Sequence, residues 1–462
     1  MLPATPQSKA ALKTIYALRA AGYQAYLAGG CVRDVLLGRE PGDYDVATSA
    51  TPDVVLDMFP RTFAVGAHFG VVLVAPEDEG AAFVTEVATF RSDGVYLDGR
   101  HPDAVRYTNS AEEDVKRRDF TINGLLLDPL RGGGALDEGK GSADEGLLDY
   151  VGGLADLRSG IIRAIGRAEL RFEEDHLRML RAVRFAARFD FEIEAETLRA
   201  IRLLAPRIHA VSRERVRDEL TKMLTEGRAR RAFELLDESG LLNEVLPEIA
   251  RMKGVAQPAQ YHPEGDVWTH TLMLLEQLVA GTSATLAWGA LLHDVGKPPT
   301  FRIAPDRIRF DGHVEVGVAM GTEVCRRFRF SNEETSRIVA LIDNHMRFAD
   351  AERMKASTLK RFFRLEGFDE HLALHRMDCM AASRNLDHYN FVRERWLAMP
   401  EETVRPKPLI TGRELIAAGY RPGEGFREML RAAEDAQLEG AAATAEEALK
   451  VVEERFGPPA DV

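Results

Sequence analysis

Cysteine and long apolar stretches are both scarce in this chain of 462 residues. The three cysteines, Cys31, Cys325 and Cys379, lack the spacing of a disulfide framework or a cysteine metal site, which is typical of a reducing compartment. No apolar run is long enough to cross a bilayer, and residues 1–10 lack the apolar core of a signal peptide. We therefore expect no membrane association and a cytoplasmic location.

Positive charge is also in deficit, because the net charge is −13 at neutral pH. An acidic chain argues against a nucleic-acid partner unless its basic residues are grouped. Residues 161–231 contain 17 Lys and Arg against 12 Asp and Glu, so this segment carries +5 and the remainder carries −18. Screening limits the reach of each patch to roughly 8–10 Å at physiological salt, so a basic RNA-binding surface is compatible with the acidic total.

Hydrophobic periodicity divides the chain into an α/β part and an all-α part. A helix is predicted over 7–21, and strands are predicted at 25–28, 45–47, 71–74 and 83–88. Strand signals almost vanish after residue 169, and helices are predicted there, the first over 173–187. The chain is too long for one core. We predict an α/β head with a mixed sheet followed by an elongated all-α body, divided into head (1–160), helical neck (161–255), metal-binding helical region (256–390) and helical tail (391–462).

Paired carboxylates in the head predict a metal site. Asp43 and Asp45 are two residues apart, and on an extended strand such side chains share a face about 6.6 Å apart. A pair of this kind can hold two divalent ions around the reacting oxygens of a phosphoryl transfer, and Mg²⁺ prefers oxygen ligands. Glu86, on a later predicted strand, is a candidate third carboxylate. The pair by itself is weak evidence, because Asp-x-Asp is common in loops.

A glycine pair lies just upstream of these carboxylates. Gly29 and Gly30 follow a predicted strand and precede a predicted helix, so backbone N–H groups can approach phosphate oxygens there without obstruction by side chains. Arg33 adds a positive charge within the first helical turn. This segment is a candidate triphosphate-binding site.

A second polar block contains paired arginines. Arg117 and Arg118 suit phosphate oxygens, and Asn123 offers both a donor and an acceptor to a sugar hydroxyl. Asp119 lies in the same block. The structural alternative is a set of ion pairs between the arginines and Asp114 or Asp119.

A third block combines a carboxylate with a guanidinium. Asp175 and Arg178 are three residues apart on the predicted helix 173–187, where they would point the same way and could together read a base edge. An ordinary intrahelical ion pair is the alternative interpretation. Three further arginines follow at helical spacing and are predicted to contact an RNA backbone: Arg181, Arg184 and Arg188.

These blocks resemble a known family. The segments 29–38 (GGCVRDVLLG) and 43–45 (DYD) resemble the signature of class II tRNA nucleotidyltransferases and bacterial poly(A) polymerases, in the DNA polymerase β superfamily. Residues 117–124 are similar to the family's Arg-Arg-Asp-Phe-Thr-x-Asn-Ala motif, with Gly124 in place of alanine. Residues 174–178 are similar to its Glu-Asp-x-x-Arg motif.

The resemblance implies a polymerase β-like head that uses Mg²⁺ at Asp43 and Asp45 and adds CCA to tRNA from CTP and ATP. It assigns residues 117–124 to ribose and triphosphate, and the Glu-Asp-x-x-Arg motif to selection of the base. A polar segment at 90–102 lies where CCA-adding members carry a loop needed to switch from C to A, which argues against a CC-only enzyme. A poly(A) polymerase and an A-adding enzyme remain alternatives, and the oligomeric state is not predicted.

The helical body contains a histidine and aspartate pattern that resembles the HD phosphohydrolase domain. The matching residues are His270, His293, Asp294 and Asp378. Imidazole with carboxylate suits a transition metal or Mg²⁺, so a second divalent-metal site is predicted. His313 and His345 are at plausible positions for a further ion, although a buried core histidine is an equal alternative. The resemblance implies phosphohydrolase activity on RNA ends. An alternative function of a different class is a hydrolase whose head only binds nucleotides.

Two other segments are interpreted more simply. Residues 131–146 are glycine-rich, charged and without periodicity, which predicts a mobile surface insertion. Residues 408–423 resemble the C-terminal tail of bacterial CCA-adding enzymes, which implies contact with tRNA, and a plain helical cap is the alternative.

Overall fold

The computed structural model describes residues 2–64, 70–75, 83–93, 105–131, 146–260 and 262–459. The chain divides into two compact units, Met1–Pro247 and Glu248–Val462. Residues 132–145 of the predicted insertion and 94–102 of the predicted loop lie outside the described residues. The finer boundaries at residues 160, 255 and 390 stay predictions.

The head is built on a mixed sheet. The strands of the first unit are β1 (Ala25–Ala28), β2 (Asp45–Thr48), β3 (Thr62–Phe63), β4 (Val71–Val74), β5 (Thr85–Thr89), β6 (Arg91–Asp93), β7 (Val105–Tyr107), β8 (Leu125–Leu127), β9 (Leu147–Asp149), β10 (Ile161–Ile162) and β11 (Glu192–Ile193). In the described part of the chain, one sheet has the order β3-β4-β5-β2-β1-β8-β9. β2 and β5 are parallel and the other neighbours are antiparallel, which confirms the predicted mixed sheet.

Helices make up the rest of the first unit. They are α1 (Pro6–Ala20), α2 (Gly30–Leu36), α3 (Pro52–Met58), α4 (Ala111–Lys116), α5 (Gly153–Ser159), α6 (Ala168–Glu174), α7 (Leu177–Phe189), α8 (Ala195–Leu204), α9 (Arg213–Thr225), α10 (Ala229–Glu238) and α11 (Leu241–Val245); α12 (Pro247–Ala250) spans the boundary between the units. Strand β8, second from one edge of the sheet, is buried at every position, as expected for a strand covered on both faces. Its three consecutive leucines therefore form part of the core beneath the site.

The predicted helix 173–187 is wrong in one respect, because the structure breaks it into α6 and α7. Asp175 lies between them in an extended conformation, with φ −151° and ψ 104°. Its side chain accepts a hydrogen bond from the backbone N–H of Leu177 at 3.1 Å. Aspartate competes with helical backbone bonds in this way and favours helix ends over helix interiors.

The second unit is almost entirely helical. It contains α13 (Val267–Glu276), α14 (Ala284–Leu292), α15 (Lys297–Thr300), α16 (His313–Arg327), α17 (Asn332–Asn344), α18 (Ala356–Phe363), α19 (Phe368–Ala381), α20 (Asp387–Ala398), α21 (Glu401–Val404), α22 (Gly412–Ala417), α23 (Phe426–Glu439) and α24 (Ala445–Phe456). A short antiparallel pair, β12 (Arg302–Ile303) with β13 (Ile308–Arg309), was not predicted. Among the described residues, no helix has the length and apolarity needed to span a bilayer.

One glycine brings two parts of the second unit into close contact. A Cβ atom at Gly296 would lie 2.1 Å from the backbone oxygen of His313 and 2.6 Å from the backbone nitrogen of Gly317. No side chain fits at such distances, so glycine is required for the turn after Asp294 to pack on the start of α16. This approach places His293 and Asp294 beside His313.

Candidate functional site

A cavity of about 620 Å³ in the first unit collects the candidate residues of the head. It is lined by Gly29, Gly30, Arg33, Asp43, Asp45, Glu86, Arg117, Arg118, Asp119, Asn123, Asp175, Arg178, Arg181, Arg184, Arg188 and Arg215, among others. Residues separated by more than a hundred positions in sequence therefore share one site. Carboxylates and guanidinium groups both line this cavity.

Three carboxylates of this cavity belong to adjacent strands. Asp45 begins β2 and is paired in register with Glu86 of the parallel strand β5, and Asp43 precedes β2 by two residues. Burial, together with the charges of Glu86 and Asp43, raises the pKa of Asp45 to about 7. Burial and Asp43 also raise the pKa of Glu86. Crowded oxygen ligands whose charges repel one another fit a divalent cation such as Mg²⁺.

The glycine pair forms the entry to α2. Gly29 has φ 70° and ψ −124°, in a region that favours glycine, and a Cβ atom there would lie 3.0 Å from the Nη1 atom of Arg118. Arg33 is buried, and its guanidinium donates to Asp34 and, over 2.6 Å, to the Oδ1 atom of Asn123. In this conformation Arg33 therefore orients the neighbouring amide.

The paired arginines of the second block share one carboxylate. Arg117 and Arg118 both donate to Asp114, with Nη2–oxygen distances of 2.8 and 3.0 Å. The Nδ2 atom of Asn123 donates to the Oδ1 atom of Asp119 at 3.0 Å. The ion pair with Asp114 that was considered as an alternative is thus present. Both guanidinium groups still line the cavity, so Asp114 fixes their direction.

Asp175 and Arg178 do not pair with each other. The carboxylate of Asp175 accepts two hydrogen bonds from Arg215 of α9, at 3.2 and 2.7 Å. Arg178 instead donates to Glu174 at 2.5 Å and to the backbone oxygen of Arg117 at 3.3 Å. The expectation that both share a helix face is therefore wrong. Asp175 lies at the helix break and Arg178 in the first turn of α7, and both line the cavity.

Arg215 is a site residue that sequence reasoning missed. It lies on α9, 40 positions from Asp175 in the sequence. The one sequence signal was its spacing of four residues from Glu219, which places both on one face of α9.

The three arginines predicted to follow an RNA backbone differ in their surroundings. Arg181 makes two bonds to Asp119, at 2.9 and 2.7 Å. Arg184 is buried and bonds Glu219 at 2.7 Å, while Arg188 is about one-third exposed and lies 3.5 Å from Glu226. The burial of Arg184 departs from the exposed row that the spacing suggested, because α7 packs this face against α9.

The second unit holds a compact cluster of imidazoles and carboxylates. The Nε2 atom of His270 lies 3.0 Å from Oδ1 of Asp378 and 3.9 Å from Oδ2 of Asp294, and the Nε2 atom of His293 lies 3.2 Å from the same Oδ2. All four residues of the predicted set are therefore brought together. His270, His293 and Asp294 are almost completely buried.

Two imidazole nitrogens of this cluster lack a hydrogen-bond partner. Among the described residues, the Nε2 atoms of His270 and His293 are buried and have no hydrogen bond of acceptable geometry. Buried polar atoms are normally satisfied, so these atoms indicate an unseen ligand. Nitrogen and carboxylate oxygen together suit a borderline divalent ion, and the donor set fits the predicted metal.

Electrostatics in the cluster also favour a cation. Burial raises the pKa of Asp294, but His293 and Lys297 outweigh it and hold that pKa well below its usual range. Burial lowers the pKa of His270, but the neighbouring carboxylates of Asp378 and Glu264 outweigh burial and raise it to about 9. The carboxylates are thus ionised, and they attract positive charge to the cluster.

A cavity of about 670 Å³ opens onto this cluster. Besides Asp294 and Asp378, it is lined by the basic side chains of Lys297, Arg307 and Arg309. Cations beside a metal cluster suit an anionic ligand such as a phosphate ester.

Comparison with known proteins agrees with this arrangement. Three family models match in order: Poly A polymerase head domain over residues 25–163, Probable RNA and SrmB-binding site of polymerase A over 190–253, and HD domain over 267–379. The CCA-adding enzyme of Geobacillus thermodenitrificans is 43% identical over 245 residues, covering 53% of this chain and 56% of that protein. That of Lactobacillus johnsonii is 38% identical over 271 residues, covering 58% and 64%. The chain thus matches somewhat over half the length of these curated relatives.

Solved structures extend the likeness over the whole chain. The Bacillus stearothermophilus CCA-adding enzyme in complex with CTP is 28% identical, with a TM-score of 0.71 and 98% of both chains covered. The Thermotoga maritima CCA-adding enzyme complexed with tRNA is 19% identical with a TM-score of 0.58, which shows a shared fold. Nucleotidyltransferases of this family depend on divalent metals, in agreement with the carboxylates of the head. The chain belongs to the class II family of CCA-adding enzymes and poly(A) polymerases and carries an HD domain.

Proposed function

We propose that this chain adds CCA to the 3′ end of tRNA, using CTP and ATP without a nucleic-acid template. The observation that carries the proposal is the single cavity in which three carboxylates face a set of arginines and the pair Asp175 and Arg178. These substrates imply activity in the cytoplasm. The tRNA 3′ hydroxyl attacks the α-phosphate of the bound nucleotide in line, and pyrophosphate leaves.

Different residues of the cavity bind the metal and the triphosphate. Asp43, Asp45 and Glu86 would hold Mg²⁺, which supplies Lewis-acid activation and charge neutralisation in phosphoryl transfer. Arg117 and Arg118, directed by Asp114, bind the triphosphate oxygens. Positioning of the reactants accounts for much of the rate in such transfers, because it removes the entropy cost of bringing them together.

Selection of the base follows from donor and acceptor chemistry. Cytosine and adenine each present an amino donor beside a ring-nitrogen acceptor, whereas uracil and guanine present a carbonyl acceptor beside an N–H donor. The carboxylate of Asp175 accepts from the amino group and the guanidinium of Arg178 donates to the ring nitrogen. The two side chains therefore favour CTP and ATP over UTP and GTP.

A tRNA that lacks its 3′ CCA tests the proposal directly. With labelled CTP alone, the protein is expected to add two C and stop, and ATP supplied afterwards adds one A. A poly(A) polymerase would ignore CTP and extend with ATP, and an A-adding enzyme would use ATP only on ends that already carry CC. Either pattern would contradict CCA addition.

Two aspartate variants separate catalysis from binding. Asp43→Ala is expected to abolish incorporation while the protein still binds tRNA in a gel-shift assay. Asp57→Ala removes an exposed carboxylate of α3 and serves as the matched control. Incorporation by Asp43→Ala at the wild-type rate would contradict the assigned site.

We further propose that the HD domain binds a divalent metal at His270, His293, Asp294 and Asp378 and hydrolyses phosphate esters at RNA ends. The unsatisfied buried Nε2 atoms and the nearby basic side chains support this activity. RNAs that end in a 3′-phosphate or a 2′,3′-cyclic phosphate are the test substrates. Asp294→Ala should lose hydrolysis and keep nucleotide addition, and Asp43→Ala should show the reverse. Hydrolysis retained in Asp294→Ala would contradict the assignment.

A further inference from the structure

A largely buried guanidinium contacts the backbone of the arginine pair in the head. The side chain of Arg171, in α6, is 14% exposed, and all three of its nitrogen atoms donate hydrogen bonds. Nε donates to the backbone oxygen of Ile165 at 3.2 Å, while Nη1 and Nη2 donate to the backbone oxygens of Arg117 and Lys116 at 3.0 and 2.8 Å. Only the planar guanidinium of arginine donates from three nitrogen atoms at once. Arg171 therefore joins α6 to the segment that carries Arg117.

Two of these acceptors lie at the end of a helix. α4 ends at Lys116, and Arg117 follows it as the C-cap residue. The last carbonyl oxygens of a helix have no partner within the helix, and a guanidinium that donates to them also interacts favourably with the helix dipole. Arg171 therefore holds the end of α4, just before the side chains of Arg117 and Arg118 enter the cavity.

Arg171 also shares two acceptors with Arg178, the guanidinium assigned to the base. The Oε2 atom of Glu174 accepts from Nη1 of Arg171 at 2.8 Å and from Nη1 of Arg178 at 2.5 Å. The backbone oxygen of Arg117 accepts from the same two side chains, at 3.0 and 3.3 Å. Two positive groups this close would repel each other without such acceptors. The shared acceptors therefore hold Arg178 in a defined orientation beside Arg171.

The two guanidinium groups differ in their relation to the nucleotide site. Arg178 lines the cavity together with Arg117 and Arg118, whereas Arg171 is not among the described residues that line it. From this geometry we propose that Arg171 is a positioning residue, which fixes the base-reading Arg178 relative to the triphosphate-binding Arg117 and Arg118. The inference rests on the proposed nucleotide addition and assigns a role in base selection to a residue outside the cavity.

This role has a specific consequence for the choice of base. A fixed guanidinium donates to the ring-nitrogen acceptor of cytosine or adenine and meets an N–H donor in uracil, which leaves the polar groups unpaired. Without Arg171, Arg178 loses that fixed orientation and binds the correct bases less well. Asp114 still directs Arg117 and Arg118, so the triphosphate stays bound. Loss of Arg171 should therefore weaken the binding of CTP and ATP more than the binding of UTP.

Nucleotide affinity, measured without turnover, tests the proposal. Isothermal titration calorimetry of the full-length chain with Mg²⁺ and without tRNA gives Kd for CTP, ATP and UTP. Arg171→Met removes every donor and keeps an apolar stem. It should weaken CTP and ATP about tenfold, as for the loss of one hydrogen bond, and change UTP by less than about threefold. Arg167→Met removes an exposed guanidinium at the N-cap of α6, and it should leave all three Kd values within about twofold of wild type.

A double-mutant cycle separates positioning from a purely structural role. If Arg171 acts through Arg178, then Arg171→Met should not reduce the preference for CTP further in a chain that already carries Arg178→Met, because the positioned group is absent. A role confined to holding α4 in place would weaken CTP and UTP alike in both backgrounds. Equal weakening of CTP and UTP, or an additive loss of preference in the double variant, would overturn the proposal.

Glu174→Gln tests the same contact if Arg171→Met does not fold. The side chain of Glu174 is 26% exposed, and the substitution keeps its shape while removing the charge to which both arginines donate. It should lower the preference for CTP over UTP, and an unchanged preference, or a wild-type chain with no preference, would contradict the positioning role. Incorporation is a separate result, because a chain that prefers CTP in binding but adds no CCA to tRNA contradicts only the proposed function.

Discussion

The contact between Arg215 and Asp175 provides the sharpest test of how the nucleotide site is organised. Arg215→Met keeps the length and apolar stem of the side chain but removes both hydrogen bonds to the carboxylate, at 3.2 and 2.7 Å. Asp175 then loses the group that holds it in its extended position at the helix break. We expect reduced incorporation of CTP and ATP and weaker rejection of UTP.

The magnitude follows from the two bonds. A hydrogen bond to a charged group contributes about 1.5–3 kcal/mol, and both side chains are partly exposed, so we take that range for the pair together. At about 1.4 kcal/mol for each factor of ten, kcat/KM for CTP should fall about 10- to 150-fold. The preference for CTP over UTP should fall by a similar factor, because only correct bases use the fixed carboxylate.

Single-nucleotide incorporation kinetics with each triphosphate measure both quantities. Arg217→Met, on the same helix but outside the cavity lining, is the matched control and should stay within about twofold of wild type, because it leaves both hydrogen bonds to Asp175 in place. Thermal unfolding of both variants separates an effect on the site from an effect on folding. If Arg215→Met retains wild-type kcat/KM and discrimination, Asp175 is positioned by other contacts and the reasoning fails.

Three further predictions concern stability. Burial raises the pKa of Asp114, but the charges of Arg117 and Arg118 outweigh burial and lower it. The contribution of Asp114 to the free energy of unfolding is therefore present above about pH 4 and is lost on acidification. In urea unfolding, the stabilities of Asp114→Asn and wild type should converge as the pH falls. Arg184→Met leaves the buried carboxylate of Glu219 with only the Nζ atom of Lys222, at 3.8 Å, and should cost about 3 kcal/mol in urea unfolding, the lower end of the range for a broken buried pair. Gly296→Ala forces a methyl group onto the backbone of His313, and it should lower both the melting temperature and the Mn²⁺ content of the HD domain.

Each of these predictions has a control and a contradicting outcome. Arg199→Met is the control for Arg184→Met, because it breaks an exposed ion pair and should change the free energy of unfolding by about 1 kcal/mol or less. If Arg184→Met lowered the free energy of unfolding by no more than Arg199→Met, burial of the Arg184 ion pair would be unimportant. Gly423→Ala adds a methyl group with no protein atom closer than 4.0 Å, and it should leave metal content unchanged. A constant difference between Asp114→Asn and wild type from pH 6 to pH 3 would contradict the assigned ion pair.

Local sequence predicted the glycine pair and the carboxylates of the proposed nucleotide site in the head. Gly29 and Gly30 are adjacent, and Asp43 and Asp45 are two residues apart, so short-range sequence keeps each pair together. Of the two carboxylates only Asp45 lies on β2, and Asp43 precedes that strand. The mixed head and the helical body followed from periodicity, and the structure and the comparisons confirm both. The order His, His-Asp, Asp likewise selected four residues that the fold brings together.

Tertiary structure decided which partner each of these groups meets. Asp175 was expected on a helix beside Arg178, but a contact with Arg215, 40 residues away, holds it at a helix break, and no local pattern encodes such a pair. Arg184 had the spacing of an exposed row, and its burial depends on the packing of α7 against α9.

The HD centre shows the same division. The sequence by itself determined that His270, His293, Asp294 and Asp378 are metal-ligand types in a recognisable order, and it left His313 and His345 equally explained as core residues. Only the folded chain shows that the Nε2 atoms of those two histidines face the second oxygen of Asp294. The direction in which each imidazole points depends on the hydrogen bond between its Nδ1 atom and a backbone oxygen. The position of His313 also depends on the close contact between Gly296 and the backbone of α16. Helix packing creates both, so local sequence does not encode them.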